Sequence, residues 1–201
     1  MVSFGLNVSQ EDHDPVELLE QAKRAEDAGF EVAWSSDHFH PYYHESPFHK
    51  RASCGFAWVW MGAAGVQTRK IKLGTMVTSL LGRYHPAVVA QAFATLDYVF
   101  PGRVILGLGA GEAMNVRPLG HEWLEYPERR EHLRESLEII RRLWSEEFVD
   151  YEGKYFKLDT ANLYTKPKGK IPIYVGAKGQ KTALLAGEFA DGVDTVSDPK
   201  I

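Results

Sequence analysis

Arg103-Val-Ile-Leu-Gly-Leu-Gly-Ala-Gly-Glu-Ala-Met-Asn115 is the stretch on which the fold turns. Val104 to Leu106 is an apolar, largely β-branched run that reads as a buried strand. It becomes glycine-rich at Gly107, Gly109 and Gly111 and ends in two polar groups, Glu112 and Asn115. A strand whose carboxyl end runs into glycines and then a carboxylate is how an α/β protein builds a cofactor floor. The glycines let backbone approach a flat ligand, and the acid meets its polar edge. The same residues also read as a tight strand-to-helix turn with a solvated Glu112. The glycines do not have the G-x-G-x-x-G order that opens a dinucleotide-binding helix, so a Rossmann site is not inferred.

On either side of this stretch, strands and helices alternate. Val2–Val8 reads as the first strand. Asp14-Pro-Val-Glu17 starts a helix, with Asp14 as N-cap, Pro15 at its first position and Glu17 closing a capping box; Gly29 ends it. Phe30–Ser35 is a second strand, Cys54–Gln67 a helix and Ile71–Thr78 a third strand. Pro86–Phe100 is a helix with Val88, Val89, Ala92, Phe93, Leu96 and Val99 assigned to its buried side. Pro127–Trp144 is a charged amphipathic helix with Leu133, Leu137, Ile140 and Leu143 at helical spacing. Ile171–Val175 is the fifth strand, Gln180–Ala190 a helix, and Gly192–Val196 the sixth strand.

Short connections and near-continuously apolar strands predict a parallel sheet covered by helices. An open doubly wound sheet and a (β/α)₈ TIM barrel both fit. The barrel is favoured by the polar residues placed after successive strands: Asp37-His38 after the second, Thr78-Ser79 at the end of the third, Glu112 and Asn115 after the fourth, and Lys178-Gly179-Gln180 after the fifth. Barrel active sites are built at those carboxyl ends. A barrel has eight units, and this chain supplies about six. The expectation is one domain, 1–201, that is a piece of a longer barrel rather than a complete six-unit protein.

Composition narrows the function classes. An apolar fraction of 44% with 25% charged residues is that of a soluble globular chain. A net charge of −4 supplies no basic footprint for nucleic acid. No apolar run has membrane length, and the first residues lack a signal-peptide pattern, so a cytoplasmic protein is expected. The single cysteine, Cys54, suits a reducing compartment and excludes an internal disulfide.

Asp37-His38-Phe39-His40-Pro41-Tyr42 carries the clearest acid–base chemistry. A histidine's unperturbed pKa lies close to neutral pH, so a histidine at position 38 suits a general base or acid; Asp37 would orient His38, and Phe39 and Tyr42 would wall a flat ligand. The alternative is a loop histidine that packs or caps. His40, His44 and His49 lie close by, but no metal-ligand spacing is present and no metal is expected. Gly176-Ala-Lys-Gly-Gln180 comes after a strand and opens a helix, where free N–H groups bind phosphate. Trp58, Trp60 and Met61 read as core, the run Glu125–Arg142 as a solvated face with i,i+4 charge pairs, and Cys54 as a packing residue without the context of a nucleophile.

Several of these motifs together resemble the bacterial luciferase-like superfamily: Ser36-Asp-His-Phe39, Leu73-Gly-Thr-Met-Val77, Tyr84 to Leu96, Pro101-Gly-Arg103, Gly107 to Asn115, and Ile171 to Gly179. Within it the chain is similar to the branch dependent on the deazaflavin coenzyme F420, which includes glucose-6-phosphate dehydrogenases, secondary alcohol dehydrogenases and methylenetetrahydromethanopterin reductases. The resemblance implies a (β/α)₈ barrel, a homodimer, and further barrel residues that this sequence lacks. It implies an oxidoreductase that moves a hydride between a small-molecule substrate carbon (alcohol, sugar phosphate or pterin methylene) and C5 of the deazaflavin.

Residue by residue, the resemblance makes Asp37 and His38 a pair lining the cofactor, with His38 accepting a substrate hydroxyl proton. It makes Glu112 the carboxylate beside the ring's N1 edge, Asn115 a ring or ribityl contact, and Gly111 part of the same cofactor-binding segment. Met76-Val77 becomes a non-proline cis peptide bulging behind the ring, and Glu11 an acid at the end of the first strand. Ala177, Lys178 and Gly179 become the loop for the cofactor phosphate. Tyr42 stands where the dehydrogenases carry tryptophan; it can still stack, and its hydroxyl can donate to an alkoxide. The groups that recognise a sugar phosphate belong mainly to the later part of the family barrel. An FMN-dependent monooxygenase of the same superfamily and a non-catalytic barrel homologue are the alternatives.

Overall fold

A computed structural model describes residues 2–41 and 53–196. In chain order the elements are β1 (Gly5–Val8), α1 (Pro15–Asp27), β2 (Val32–Ser35), α2 (Ala57–Gln67), β3 (Lys72–Thr75), β4 (Thr78–Ser79), α3 (Pro86–Val99) and β5 (Val104–Gly109). They continue with α4 (Ala113–Val116), which runs into a 3₁₀ turn (Arg117–Leu119), then α5 (Tyr126–Ser145), β6 (Val149–Glu152), β7 (Lys157–Ala161), β8 (Ile173–Gly176), α6 (Gln180–Phe189) and β9 (Gly192–Asp194).

The main sheet runs β1-β2-β3-β5-β8-β9, with β4 added on β5, and all of its pairings are parallel. This is part of a (β/α) barrel, as the alternation predicts. On its helix-covered face Ala33, Leu73, Val104, Leu106, Leu108, Ile173 and Val175 alternate out of the strands into one core with Leu18, Met61, Phe93, Leu137 and Ile140. On the other face Trp34 and Tyr174 pack ring against ring at 5.7 Å. No helix among the described residues is long and apolar enough to cross a membrane.

Local chemistry explains most element ends. Asp14 caps α1, its carboxylate accepting the Val16 N–H at 2.8 Å. Glu17 does not close the expected box; its carboxylate lies 3.7 Å from His13 Nδ1 instead. Gly29 leaves the helix with φ +85°, as a helix stop requires. His85 caps α3, its Nδ1 accepting the Ala87 N–H at 3.2 Å. Trp58, Trp60 and Met61 are core, and α5 buries Leu133, Leu137, Ile140 and Leu143.

The structure corrects four expectations. The third strand does not run unbroken from Ile71 to Thr78; it breaks at residues 76–77 into β3 and β4. The helix expected from Cys54 begins at Ala57. Val88 and Val99 are exposed, at 51% and 57%, because the buried side of α3 comprises Pro86, Val89, Ala90, Phe93, Ala94 and Asp97. The antiparallel hairpin β6–β7 was not anticipated. Its turn hangs on Glu135, a buried carboxylate on the otherwise charged α5 that accepts the N–H groups of Lys154, Tyr155 and Phe156 at 2.7, 3.0 and 3.2 Å.

At the amino ends of the strands, Arg103 donates to the carbonyls of Ile71, Gly65 and Thr68 at 3.0, 3.2 and 3.0 Å, tying β5 to the end of α2. Asp191 joins β8 to β9: its carboxylate accepts the Ile173 N–H at 2.9 Å and pairs with Arg141 at 2.5 Å and with Lys170. Burial pushes that carboxyl up, but the hydrogen bonds from Lys170, Ile173 and Arg141 outweigh it and hold it down at about 2. A depressed folded value stabilises the fold above the unfolded value of about 3.9 and loses that contribution as pH falls through the folded one. Acid unfolding followed by circular dichroism is therefore expected to show a stability loss between about pH 4 and pH 2 that Asp191→Asn lacks, the variant being already less stable at neutral pH.

Candidate active site

The break in the third strand shapes the site. Between the pairs Gly74–Ile105 and Thr78–Leu108, β3–β4 carries three residues where β5 carries two. This extra residue makes a bulge, and the Met76–Val77 peptide inside it is cis, as the resemblance implied. The bulge explains the glycines of the opening motif. A Cβ at Gly107 would lie 1.9 Å from the Thr75 carbonyl oxygen, and one at Gly109 would lie 2.6 Å from Val77 Cγ2. Thr75 Oγ1 donates to the Gly107 carbonyl at 2.9 Å and accepts its N–H at 3.1 Å. Gly107 and Gly109 thus make room for the neighbouring strand. Gly109 and Gly111, the latter at φ +91°, also border the cavity.

The residues after the strands surround a cavity of about 770 Å³. His38, Met76, Val77, Gly111, Glu112, Asn115, Ala177, Lys178 and Gly179 all line it, so the structure gathers most of the candidate site into one place. Glu11 is buried behind His38 rather than on the wall. Tyr42 lies outside the described residues.

His38 is held at both ring nitrogens. Nε2 lies 3.2 Å from Glu11 Oε1, and Nδ1 lies 2.9 Å from Asn115 Nδ2 and 3.4 Å from Glu112 Oε2. Asn115 Oδ1 accepts the Phe39 N–H at 2.7 Å, which orients the amide so that its Nδ2 donates to His38 Nδ1. The ring's own proton then sits on Nε2, facing Glu11. Glu11 is steadied in turn by the hydroxyls of Ser9 at 2.7 Å and Ser36 at 3.2 Å.

Asp37 does not orient His38. Its fully buried carboxylate points the other way, accepting from Thr78 Oγ1 at 2.7 Å and Tyr84 OH at 3.4 Å and pairing with Arg83 at 3.0 Å. Arg83 also donates to the Asp37 carbonyl at 2.7 Å. Burial, and then the Asp37 carboxylate beside it, push the Tyr84 hydroxyl well above its ordinary range. Cys54 is likewise raised, to about 11, by burial and by Glu11, and is no nucleophile.

The cavity is also lined by Ser79, which the sequence marks as a polar residue at a strand end, and by four residues that pattern reading missed: Tyr126, Arg129, Thr182 and Asp194. Tyr126 OH and Thr182 Oγ1 share a 2.7 Å hydrogen bond between α5 and α6. Arg129 lies over the Trp123 ring at 4.0 Å. Burial raises the Asp194 carboxyl. Tyr126 and Arg129 gave no signal because they sit on α5, a helix whose composition reads as solvated surface.

The parallel sheet thus carries, at the carboxyl ends of its strands, an imidazole between two carboxylates on the edge of one cavity. The chain belongs to the luciferase-like monooxygenase family, whose model matches residues 2–200. It is 44% identical over 200 residues to the F420-dependent glucose-6-phosphate dehydrogenase of Microbacterium testaceum, the match covering 98% of this chain and 58% of that one. A solved F420-dependent secondary alcohol dehydrogenase, in complex with an F420-acetone adduct, superposes with a TM-score of 0.91 at 44% identity, over 96% of this chain and 57% of that one. The coenzyme F420 dependent tetrahydromethanopterin reductase of Methanopyrus kandleri superposes with a TM-score of 0.80 at 34% identity, over 96% and 55%. The chain thus spans under three-fifths of the length of these relatives.

Three outcomes test the packing logic. Gly107→Ala is expected to cost about 3 kcal/mol of stability, because its methyl meets fixed backbone. Gly62→Ala, inside α2 with nothing within 4 Å of the added Cβ, is expected to gain about 0.5–1 kcal/mol in the same denaturant titration. Asp37→Ala leaves Arg83 buried without its partner and is expected to cost about 3–5 kcal/mol.

Proposed function

We propose that the cavity is the active site of an F420-dependent oxidoreductase acting on a hydroxyl-bearing small molecule. The observation that carries the reading is His38, held on the cavity wall between Glu11, Asn115 and Glu112. The identities to F420-dependent dehydrogenases support it.

The lining fits such a coenzyme. Its flat ring suits the space between the Val77 bulge and Gly111, where no Cβ intrudes. Its phosphate suits the start of α6, whose N-cap, Gly179, offers no side-chain acceptor to the first-turn N–H groups. Met76, Val77, Gly111 and Asn115 would hold the ring and Ala177, Lys178 and Gly179 the phosphate. Bound there, the deazaflavin supplies a carbon centre that accepts or donates hydride.

The chain's own residues manage protons and position. His38 takes the hydroxyl proton of the substrate at Nδ1, where the substrate hydroxyl takes the place of the Asn115 amide donor, and Glu11, 3.2 Å from Nε2, accepts the hydrogen bond of the Nε2–H and balances the ring's charge. Asn115 keeps the ring in register by holding both Nδ1 and the Phe39 N–H. Glu112, on the cavity wall, would hold or release a proton at its carboxylate beside the coenzyme. An alcohol or sugar hydroxyl matches this use of His38; a pterin methylene has no hydroxyl proton to give. The reading carries with it a cytoplasmic homodimer.

Fluorescence titration with oxidised F420 and, side by side, FMN tests the proposal. Micromolar binding of F420 with weak FMN binding is expected; the reverse would point to a flavin monooxygenase, and binding of neither to a barrel homologue that does not use the site. His38→Asn is expected to keep F420 binding and lower turnover of an accepted alcohol by about 100-fold or more.

A further inference from the structure

A glycine shows which way strand β9 faces. A Cβ at Gly192 would lie 3.1 Å from the Tyr174 ring, which packs against Trp34 on the inner face of the sheet. Residues two apart on a strand share a face, so Asp194 stands on the inner face as well, one layer nearer the carboxyl ends. It pairs in register with Gly176, and its carbonyl accepts the Ala177 N–H at 2.8 Å. The backbone is thereby fixed, and Asp194 lines the cavity. Among the described residues no group donates a hydrogen bond to its carboxyl, and burial is the one influence that raises its pKa. Asp97 and Asp191 behave differently: the first accepts the Gly102 and Gly169 N–H groups, the second the Ile173 N–H and two cations. A carboxyl that has lost water without gaining a donor is costly unless a ligand supplies one.

His38 follows β2 and Asp194 ends β9, four places further along the order β2-β3-β5-β8-β9. In a barrel of eight strands four places is halfway round, so the two residues stand on opposite sides of the lumen. We propose that Asp194 is a specificity-determining residue: its carboxylate accepts a hydrogen bond from a second hydroxyl of the substrate whose first hydroxyl meets His38, so the site takes a neutral polyol in preference to a monoalcohol or a sugar phosphate. This inference rests on the oxidoreductase reading and deepens it. A second hydroxyl replaces the water that the carboxyl has lost. An alkyl group in that place leaves the acid unpaired, and a phosphate sets two anions together. The cations on the cavity wall do not relieve that repulsion, because none of Arg129, Lys178 and Lys181 holds the Asp194 carboxyl down.

The test measures kcat/KM with F420 for glucose, glucose 6-phosphate and propan-2-ol in the wild-type protein, Asp194→Asn and Asp194→Ala, each of them also melted without ligand. The wild type is expected to prefer glucose to both other probes by about tenfold or more. Asp194→Asn keeps an acceptor and removes the charge. Its preference for glucose over glucose 6-phosphate is expected to fall about tenfold, while that over propan-2-ol holds within about threefold. Asp194→Ala removes charge and acceptor together, so both preferences fall, through the KM for glucose rather than through kcat. Ligand-free melting temperatures are expected to be unchanged or higher, since no protein donor is lost. A wild type that binds F420 but prefers either other probe, or turns over none of the three, would overturn the proposal. So would preferences that the variants leave unchanged, or a lower ligand-free melting temperature, which would make the carboxyl structural. Weaker F420 binding by Asp194→Ala with unchanged preferences would place the carboxylate at the coenzyme and overturn it too. If the wild-type protein binds no F420, the oxidoreductase reading fails and takes this inference with it.

Discussion

The buried pair of Asp37 and Arg83 is the constraint from which the site is built. Asp37 comes after β2, Thr78 lies on β4, and Arg83 and Tyr84 precede α3, so a single carboxylate ties the end of β2 to the distant stretch between β4 and α3. Its charge has no water to turn to, so each donor is held strongly. One residue on, His38 inherits that fixed position and faces the opposite way, into the cavity. The acid next to His38 therefore acts through the backbone, while Glu11, after β1, and Asn115, on α4, hold the ring.

The same economy appears in the glycines after β5. Gly107 and Gly109 admit the bulge that carries Thr75 and Val77, and the bulge presents Val77 to the cavity. Once the bulge is in place, Gly111 and Ser79 face each other across the cavity wall, and the start of α6 closes its far end. Packing between neighbouring strands, rather than any single ligand contact, thus shapes the space.

Much of this was legible in the chain itself. Asp14-Pro15 and Gly29 bound a helix because capping and left-handed backbone are local properties, and the apolar runs mark strands because a doubly covered sheet needs them. The placing of His38, Glu112, Asn115 and Lys178 after successive strands was enough to bring them to one end of the sheet. The hairpin β6–β7 was not legible: its anchor, Glu135, looks like every other glutamate on α5 until three backbone N–H groups converge on it. Val88 and Val99 misled for the related reason that β-branched residues in a helix declare hydrophobicity but not direction.

The order of residues suffices for the alternation of strands and helices, the parallel sheet, and the end of it at which the polar residues gather. These come from periodicity and capping, which act over a few residues. Tertiary packing alone selects the partner each polar group takes: Asp37 to Arg83 and not to His38, Gly107 to Thr75 and not to a ligand, Ser79 to no protein atom among the described residues. Those choices depend on contacts between segments tens of residues apart, where burial makes a hydrogen bond strong and its absence costly.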